Sequence, residues 1–137
     1  RYIRDYGENE DINRAVQVLE RVKRDVLKAQ DKTELIGYEG MASNAYFEVL
    51  PILILNQKTD FPFHGRNRRP PKDAVNAMLS FAYTLIANDV AAALETVGLD
   101  PYVGFLHTLR PGRTSLALDM MEELRAYLGD RFYFVVD

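Results

Sequence analysis

The sequence contains no cysteine and no tryptophan, and its 137 residues include only two histidines, His64 and His107. Without cysteine, thiol nucleophiles, disulfides and thiolate zinc sites are all excluded. Any metal ion would have to be bound mainly by oxygen, with one or two imidazoles at most. Such a ligand set favours magnesium or manganese over copper or structural zinc.

The chain also lacks a long hydrophobic run and an excess of positive charge. Residues 74–88, the most apolar stretch, are uncharged over only 15 positions and include Asn76, Ser80 and Thr84. This stretch is expected to be too short and too polar to span a bilayer. A net charge of −3 does not suggest nucleic-acid binding. The chain begins at Arg1 with neither an initiator Met nor a basic region that leads into an apolar signal, so we expect a cytoplasmic protein and a fragment of a longer chain.

The pattern that is present is helical. A hydrophobic fraction of 47% and a charged fraction of 27% are ordinary for a globular domain. Apolar residues recur at steps of three and four, which predicts an all-α fold. The predicted helices span residues 9–30, 41–55 with a kink at Pro51, 72–97 as one helix or two, and 114–128, the last capped by Thr114 or Ser115. Residues 56–71 form the one clear loop, and the state of 132–136 stays open.

The last predicted helix carries neighbouring acidic residues. At about 100° per residue, its expected core face consists of Ala117, Met120, Met121, Leu124 and Leu128. Asp119 and Glu122 then lie together on the opposite face. Adjacent carboxylates repel each other, and a bound cation relieves that repulsion. The same residues could equally well serve only to keep the helix soluble.

Two further residues are candidates for chemistry. His107, in the segment Gly-Phe-Leu-His, could be a ligand, or it could pack with its nitrogens satisfied by the backbone. Glu39 lies between Gly37 and Gly40, just before the expected start of a helix. It could contact a ligand that approaches the glycine backbone closely, or it could simply favour the helix dipole.

The loop contains a cluster of positive charge, which we call the basic loop (residues 66–72). Its cations are Arg66, Arg68, Arg69 and Lys72. Guanidinium groups form forked hydrogen bonds to phosphate, so the cluster favours a polyanion, although a solvated charged loop remains the alternative. Two prolines restrict the loop and would lower the entropy cost of ordering it.

Four ordered blocks resemble the family of CRISPR-associated adaptation integrases. They are GYEGMASNAYF (37–47), RNRRPPKDAVNAMLSFAYTL (66–85), GLDPYVGFLH (98–107) and SLALDMMEELR (115–125). The resemblance covers roughly residues 35–131. It implies a metal-dependent DNA endonuclease and integrase of antiviral defence, which acquires spacers by phosphodiester cleavage and by strand transfer with a 3′-hydroxyl nucleophile.

The resemblance also implies a set of site residues. Glu39, His107 and Glu122 match the catalytic ligands of Mg²⁺ or Mn²⁺. Asp119 matches a nearby acidic residue that assists the ion or holds a water on it, and Glu123 is the next candidate. The four cations of the basic loop would contact DNA phosphates. Four other matching positions would support the site or pack beside it: Ser43, Tyr46, Asn76 and Tyr83.

The implied partners are double-stranded and branched DNA, the smaller CRISPR adaptation protein, and a second copy in the full-length form; no membrane is implied. The family's amino-terminal β-rich domain is missing here. We therefore expect a single helical catalytic domain over 1–137, with a leading segment 1–34, a metal-site core 35–131 and a truncated tail 132–137. Alone, it should bind DNA and metal poorly.

One competing class of function remains, a non-catalytic helical interaction domain whose charges contact a protein partner. A helical phosphohydrolase is disfavoured, because such enzymes usually need adjacent His and Asp and several more histidines. Neither histidine here is followed by Asp.

Overall fold

A computed structural model describes residues 6–54 and 59–130. Every regular element in these ranges is helical, and they contain no strand, which confirms the all-α prediction. The elements are α1 (Glu10–Asp25), a 3₁₀ turn (Val26–Lys28), α2 (Lys32–Leu53), α3 (Ala74–Thr96), α4 (Ser115–Leu124) and a π-helical segment (Arg125–Asp130). The chain forms two compact units, residues 1–66 and 67–137. The predicted boundaries at 34 and 131 stay predictions, and residues 132–136 lie outside the described ranges.

Helix α1 lies within the predicted range 9–30 but ends at Asp25, and its buried residues are Ile12, Ala15 and Val22. Asn9 caps it, because its Oδ1 accepts hydrogen bonds from the N–H groups of Asp11 and Ile12, both at 3.1 Å. Acidic residues in the first turn and basic residues in the last turn both suit the helix dipole. The buried stripe of α1 packs against α2 in a cluster of four buried side chains: Ile12, Ala15, Ala45 and Val49.

Helix α2 begins nine residues earlier than predicted, at Lys32 and not at position 41. Its cap is Asp31, whose Oδ1 accepts from the Glu34 N–H at 2.9 Å, while Glu34 accepts from the Gln30 N–H at 2.8 Å. This arrangement resembles a capping box, except that Glu34 accepts from the residue before the cap, and it fixes the start of the helix. The expectation that Glu39 precedes a helix is therefore wrong, because Glu39 lies inside α2. Pro51 is accommodated within the same helix.

Helix α3 is a single helix and does not break at Asn88 and Asp89. At 23 residues, with a mean hydropathy of 1.4 in its most apolar window, it is long and apolar enough to cross a membrane by length and composition. The expectation that this region is too short was therefore wrong. Only 22% of that window is buried. A membrane is not needed to explain the helix, since α3 packs on α4 through a buried side that contains a fully buried amide, Asn76.

The end of α3 is set by Gly98. Gly98 has a φ of +81°, a conformation that glycine adopts with little strain. The next residue, Leu99, donates its N–H to the Leu94 carbonyl at 2.9 Å, which satisfies one of the carbonyls at the helix end. Helix α4 follows after an irregular segment. It ends at Leu124, four residues before the predicted end, because residues 125–130 adopt the wider π-helical form.

Candidate functional site

The segment before α4 is tied to the first turns of that helix. The Pro101 carbonyl accepts from the N–H groups of Leu116 at 2.9 Å and Ala117 at 3.3 Å. Helix N-terminal N–H groups need such partners. Neither predicted side-chain cap is used: Thr114 makes no capping hydrogen bond, and the Ser115 hydroxyl donates to the Thr108 carbonyl at 3.1 Å. A loop carbonyl therefore performs the capping that was expected of a side chain.

Asp119 joins the segment 105–107 to α4. Its carboxylate accepts from the backbone N–H of Phe105 at 2.7 Å, Leu106 at 2.8 Å and His107 at 2.8 Å. Its Oδ1 also lies 2.6 Å from Nδ1 of His107. The side chain is fully buried. The predicted solvent-facing position of Asp119 is therefore wrong, because the preceding loop covers this face of the helix.

These hydrogen bonds keep Asp119 ionised. Burial raises the pKa of the Asp119 carboxyl, but hydrogen bonds from the His107 side chain and from three backbone N–H groups outweigh it. The net pKa lies below the ordinary value of 3.8. An ionised carboxylate only accepts hydrogen bonds, so Nδ1 of His107 must carry the proton.

The imidazole of His107 is thereby oriented. When the ring is neutral and Nδ1 is protonated, Nε2 carries the lone pair that a metal ion needs. The side chain is 27% exposed, so it is not sealed in the core. In a histidine that binds a metal ion, the N–H of the second ring nitrogen typically donates a hydrogen bond to a carboxylate in this way. The donor chemistry of His107 therefore fits a divalent metal ion.

Close packing around Gly104 keeps this arrangement compact. A Cβ atom there would lie 2.7 Å from Asp119 Oδ2 and 2.8 Å from the backbone carbon of Ser115. Only glycine allows this approach. Arg113 closes the other side of the loop, because its Nη2 donates to the carbonyl and the hydroxyl of Thr108.

Glu122 is also in contact with a neighbouring cation. Its Oε1 lies 2.8 Å from Nη2 of Arg125, and the two side chains are 25% and 19% exposed respectively. The Arg125 guanidinium lies over the Tyr83 ring, 5.0 Å from its centroid. Gly129 allows this packing, because a Cβ there would be 2.8 Å from Tyr83 Cε1. Glu122 and Asp119 therefore each have a protein partner, which differs from the predicted pair of repelling carboxylates.

The predicted ligands are divided between the two units. His107, Asp119 and Glu122 belong to the second unit, while Glu39 lies in the exposed first half of α2 in the first unit. Within residues 6–54 and 59–130, no three His, Asp or Glu side chains form a group that could hold a metal ion. The metal itself stays a prediction.

The cations of the basic loop differ in exposure. Arg68, Arg69 and Lys72 are exposed, whereas Arg66 is half-buried. Lys72 N–H donates to Asn67 Oδ1 at 2.7 Å, which shapes the loop. The three exposed cations form no ion pair with any residue in the described parts of the chain, so their charge is available to solvent.

The other predicted site residues differ in exposure and in their contacts. Glu123 is exposed, unlike Glu122. Ser43 is half-buried. The ring of Tyr46 contacts the ring of Phe47 edge to face, with 5.3 Å between the two ring centroids. The sequence interpretation missed several residues that shape the site: Gly104, Arg113, Ser115 and Arg125. Only Arg125 had a sequence signal, its i,i+3 spacing from Glu122.

Comparison with known proteins identifies the family to which the chain is similar. The family profile described as "CRISPR associated protein Cas1" matches residues 1–136. A relative in Leptospira interrogans, named CRISPR-associated endonuclease Cas1, is 48% identical over 130 residues, which cover 95% of this chain and 51% of that protein.

Two solved structures are similar as well. A CAS1 protein from Thermotoga maritima matches with a TM-score of 0.74 and 29% identity, over 92% of this chain and 44% of that one. A Cas6-RT-Cas1–Cas2 complex matches with a TM-score of 0.81 and 28% identity, over 92% of this chain and 13% of that one. The chain belongs to the CRISPR-associated Cas1 family. It spans about half the length of its Leptospira relative.

Proposed function

We propose that this chain is the helical part of a metal-dependent DNA endonuclease and integrase that acts in CRISPR spacer acquisition. The observation that carries the proposal is the contact between His107 and Asp119, in which a buried ionised carboxylate fixes the imidazole for ligation. Family membership supports the same activity, since the Leptospira relative is named an endonuclease. Localisation in the cytoplasm, where invading DNA is met, accords with that role.

In this proposal, Glu39, His107 and Glu122 bind Mg²⁺ or Mn²⁺. Two carboxylates and one imidazole are ligands that both ions accept. The bound ion would supply positive charge that polarises the scissile phosphate and lowers the pKa of the attacking water or 3′-hydroxyl.

The chain's own residues prepare that site. Asp119 keeps the proton on Nδ1 of His107 and so leaves Nε2 available. In this proposal its role is to position the ligand, and the water-holding role that the resemblance implies stays a prediction. Glu122 must loosen its contact with Arg125 to bind a cation, and the freed guanidinium would then be available to bind a phosphate oxygen.

The exposed cations of the basic loop would bind the DNA backbone. Arg68, Arg69 and Lys72 can each neutralise a phosphate without reading sequence. Arg66, which is half-buried, would contribute less. Double-stranded and branched DNA are the proposed substrates, and a second copy of the full-length protein is a proposed partner. The smaller adaptation protein is proposed as a further partner, because a similar structure is a complex that contains Cas2.

Manganese titration of the 137-residue chain, followed by calorimetry and thermal shift, tests the ligand set. We expect Glu39→Ala, His107→Ala and Glu122→Gln each to weaken Mn²⁺ binding at least about tenfold. The matched control is Glu123→Gln, which removes the exposed neighbouring carboxylate and should leave binding unchanged. If Mn²⁺ binds equally well to all four variants, the ligand set is wrong. Because the isolated chain is expected to bind metal poorly, the titration extends to high Mn²⁺ concentration, and absence of binding there and in the full-length protein would favour the non-catalytic interaction domain.

A further inference from the structure

Asn76 is a fully buried amide at the first turn of α3, and its side chain faces the basic loop. Its Oδ1 accepts from the Asn67 N–H at 2.9 Å, and its Nδ2 donates to Asp73 Oδ2 at 2.7 Å. The orientation of the amide follows from these partners, since an N–H can only donate and a carboxylate only accepts. Burying a polar amide costs free energy unless such bonds are made.

Asn67 closes the loop from the other side. Its Oδ1 accepts from the Lys72 N–H at 2.7 Å, five residues along the chain. Asp73, which caps α3, accepts from the Asn76 N–H at 2.7 Å. Residues 67, 72, 73 and 76 are therefore joined by one continuous set of hydrogen bonds, all within the second unit.

This network encloses the exposed cations. Arg68 and Arg69 lie between the two tethered positions, and Lys72 is itself tethered through its backbone. Pro70 and Pro71 restrict the backbone between them. A helix cap needs only Asp73, so capping alone does not explain why the Asn76 amide is buried against the loop backbone.

We propose that Asn67 and Asn76 are positioning residues that hold the basic loop in the shape that contacts DNA phosphates. The inference rests on the proposed DNA-binding function. Ordering the loop before binding lowers the entropy cost of forming several phosphate contacts at once. Asn76 is uncharged and fully buried, so an effect of its removal on the salt dependence of DNA binding would be exerted through the cations that the loop presents.

Limited trypsin digestion tests the loop's order without DNA. Trypsin can cleave the Arg68–Arg69 bond but not the Arg69–Pro70 bond. The rate of cleavage at Arg68–Arg69, measured by mass spectrometry, therefore reports how often the loop opens locally. We expect Asn67→Ala and Asn76→Ala to speed this cut about fivefold, the effect of losing one hydrogen bond. Asn67→Asp keeps the oxygen that accepts from the Lys72 N–H, so its cleavage rate should stay close to that of the wild type. Asn88→Ala, an exposed site on the same helix, is the control. Wild-type rates in both alanine variants would overturn the proposal.

Binding to a labelled DNA duplex at several salt concentrations tests the positioning itself. We expect Arg68→Ala and Arg69→Ala each to weaken binding and to reduce the salt slope by about 1. Asn76→Ala and Asn67→Ala should also reduce the slope, although they remove no charge. If the arginine variants weaken binding but the asparagine variants match the wild type, the positioning role is wrong. If the arginine variants bind like the wild type, the proposed DNA contact is wrong, and the trypsin result still decides whether the asparagines order the loop.

Discussion

Asp119 contacts His107 at two points, because its Oδ1 lies 2.8 Å from the backbone nitrogen and 2.6 Å from Nδ1 of the ring. The carboxylate therefore fixes both the backbone and the side chain of the same residue. Rotation of the imidazole away from this position would break a hydrogen bond to a buried charge, which is more costly than breaking a neutral one. The histidine is held ready before any ligand arrives.

Replacing Asp119 with asparagine should lower the free energy of unfolding by roughly 2 to 4 kcal/mol at pH 7. The amide carries no charge and has one acceptor oxygen for four donors. Urea denaturation of the two proteins measures the difference. Asp100→Asn is a matched control, since the Asp100 carboxylate accepts only an exposed N–H in a turn, and it should change stability by less than about 0.5 kcal/mol.

The same pair of proteins should differ in acid sensitivity. The pKa of folded Asp119 is below its ordinary value, so the unfolded state takes up this proton first as the pH falls. The stabilisation is therefore complete above the unfolded pKa, about 3.9, and is lost as the pH falls through the folded pKa. The stability gap between wild type and Asp119→Asn should shrink as the pH falls below about 4. A gap that stays constant to pH 2 would contradict this assignment.

Gly104→Ala should destabilise the second unit by about 1 to 3 kcal/mol, because the new methyl group would overlap Asp119 Oδ2 and the Ser115 backbone. Thermal unfolding measures the loss. Gly37→Ala is the control: it lies in α2 with nothing within 4 Å of the added atom, and it should stabilise the chain by about 0.5 to 1 kcal/mol. Equal effects of the two substitutions would show that the close approach at Gly104 is not required.

The Glu122–Arg125 pair should show measurable coupling in a double-mutant cycle. We expect about 1 kcal/mol from Glu122→Gln combined with Arg125→Met, because both side chains are about three-quarters or more buried. Asp11 and Arg14 provide a matched cycle with the same spacing, but they are 62% and 70% exposed and 3.7 Å apart. Their coupling should be close to zero. A larger coupling in the exposed pair would contradict the description of Glu122.

Two leucines on α3 test which side of that helix is buried. Leu79→Ala should cost about 2 to 5 kcal/mol, since Leu79 is fully buried. Leu85→Ala makes the same chemical change at a side chain that is 46% exposed, and it should cost less than about 1 kcal/mol. Urea midpoints of the two variants distinguish these outcomes. Similar losses would mean that the exposed side of α3 is covered in solution.

Local residue types mark two of the helix ends. Asn9 caps α1 and Gly98 ends α3, as their residue types indicate. The start of α2 was misplaced because two glycines, at 37 and 40, suggested an irregular segment. The spacing of Asp31 and Glu34 in fact marked a capping box. The glycines are tolerated in this helix because its second half is anchored by packing against α1.

The burial of Asp119 could not be read from helical periodicity. Periodicity describes one helix against one core face, whereas here a loop folds back over the opposite face of α4. Met120 and Leu128, predicted to be in the core, are each 46% exposed. Helical periodicity predicted correctly that Ala117 and Met121 are buried. Helix α4 packs against α3. What a loop covers depends on its path through space.

The contact between His107 and Asp119 spans only 12 residues of sequence. Chain segments of this length close within about a microsecond or less, at a small entropic cost. The imidazole and its carboxylate can therefore meet early during folding, before distant parts of a longer chain have been synthesised. This portion of the chemistry is encoded in one short continuous stretch.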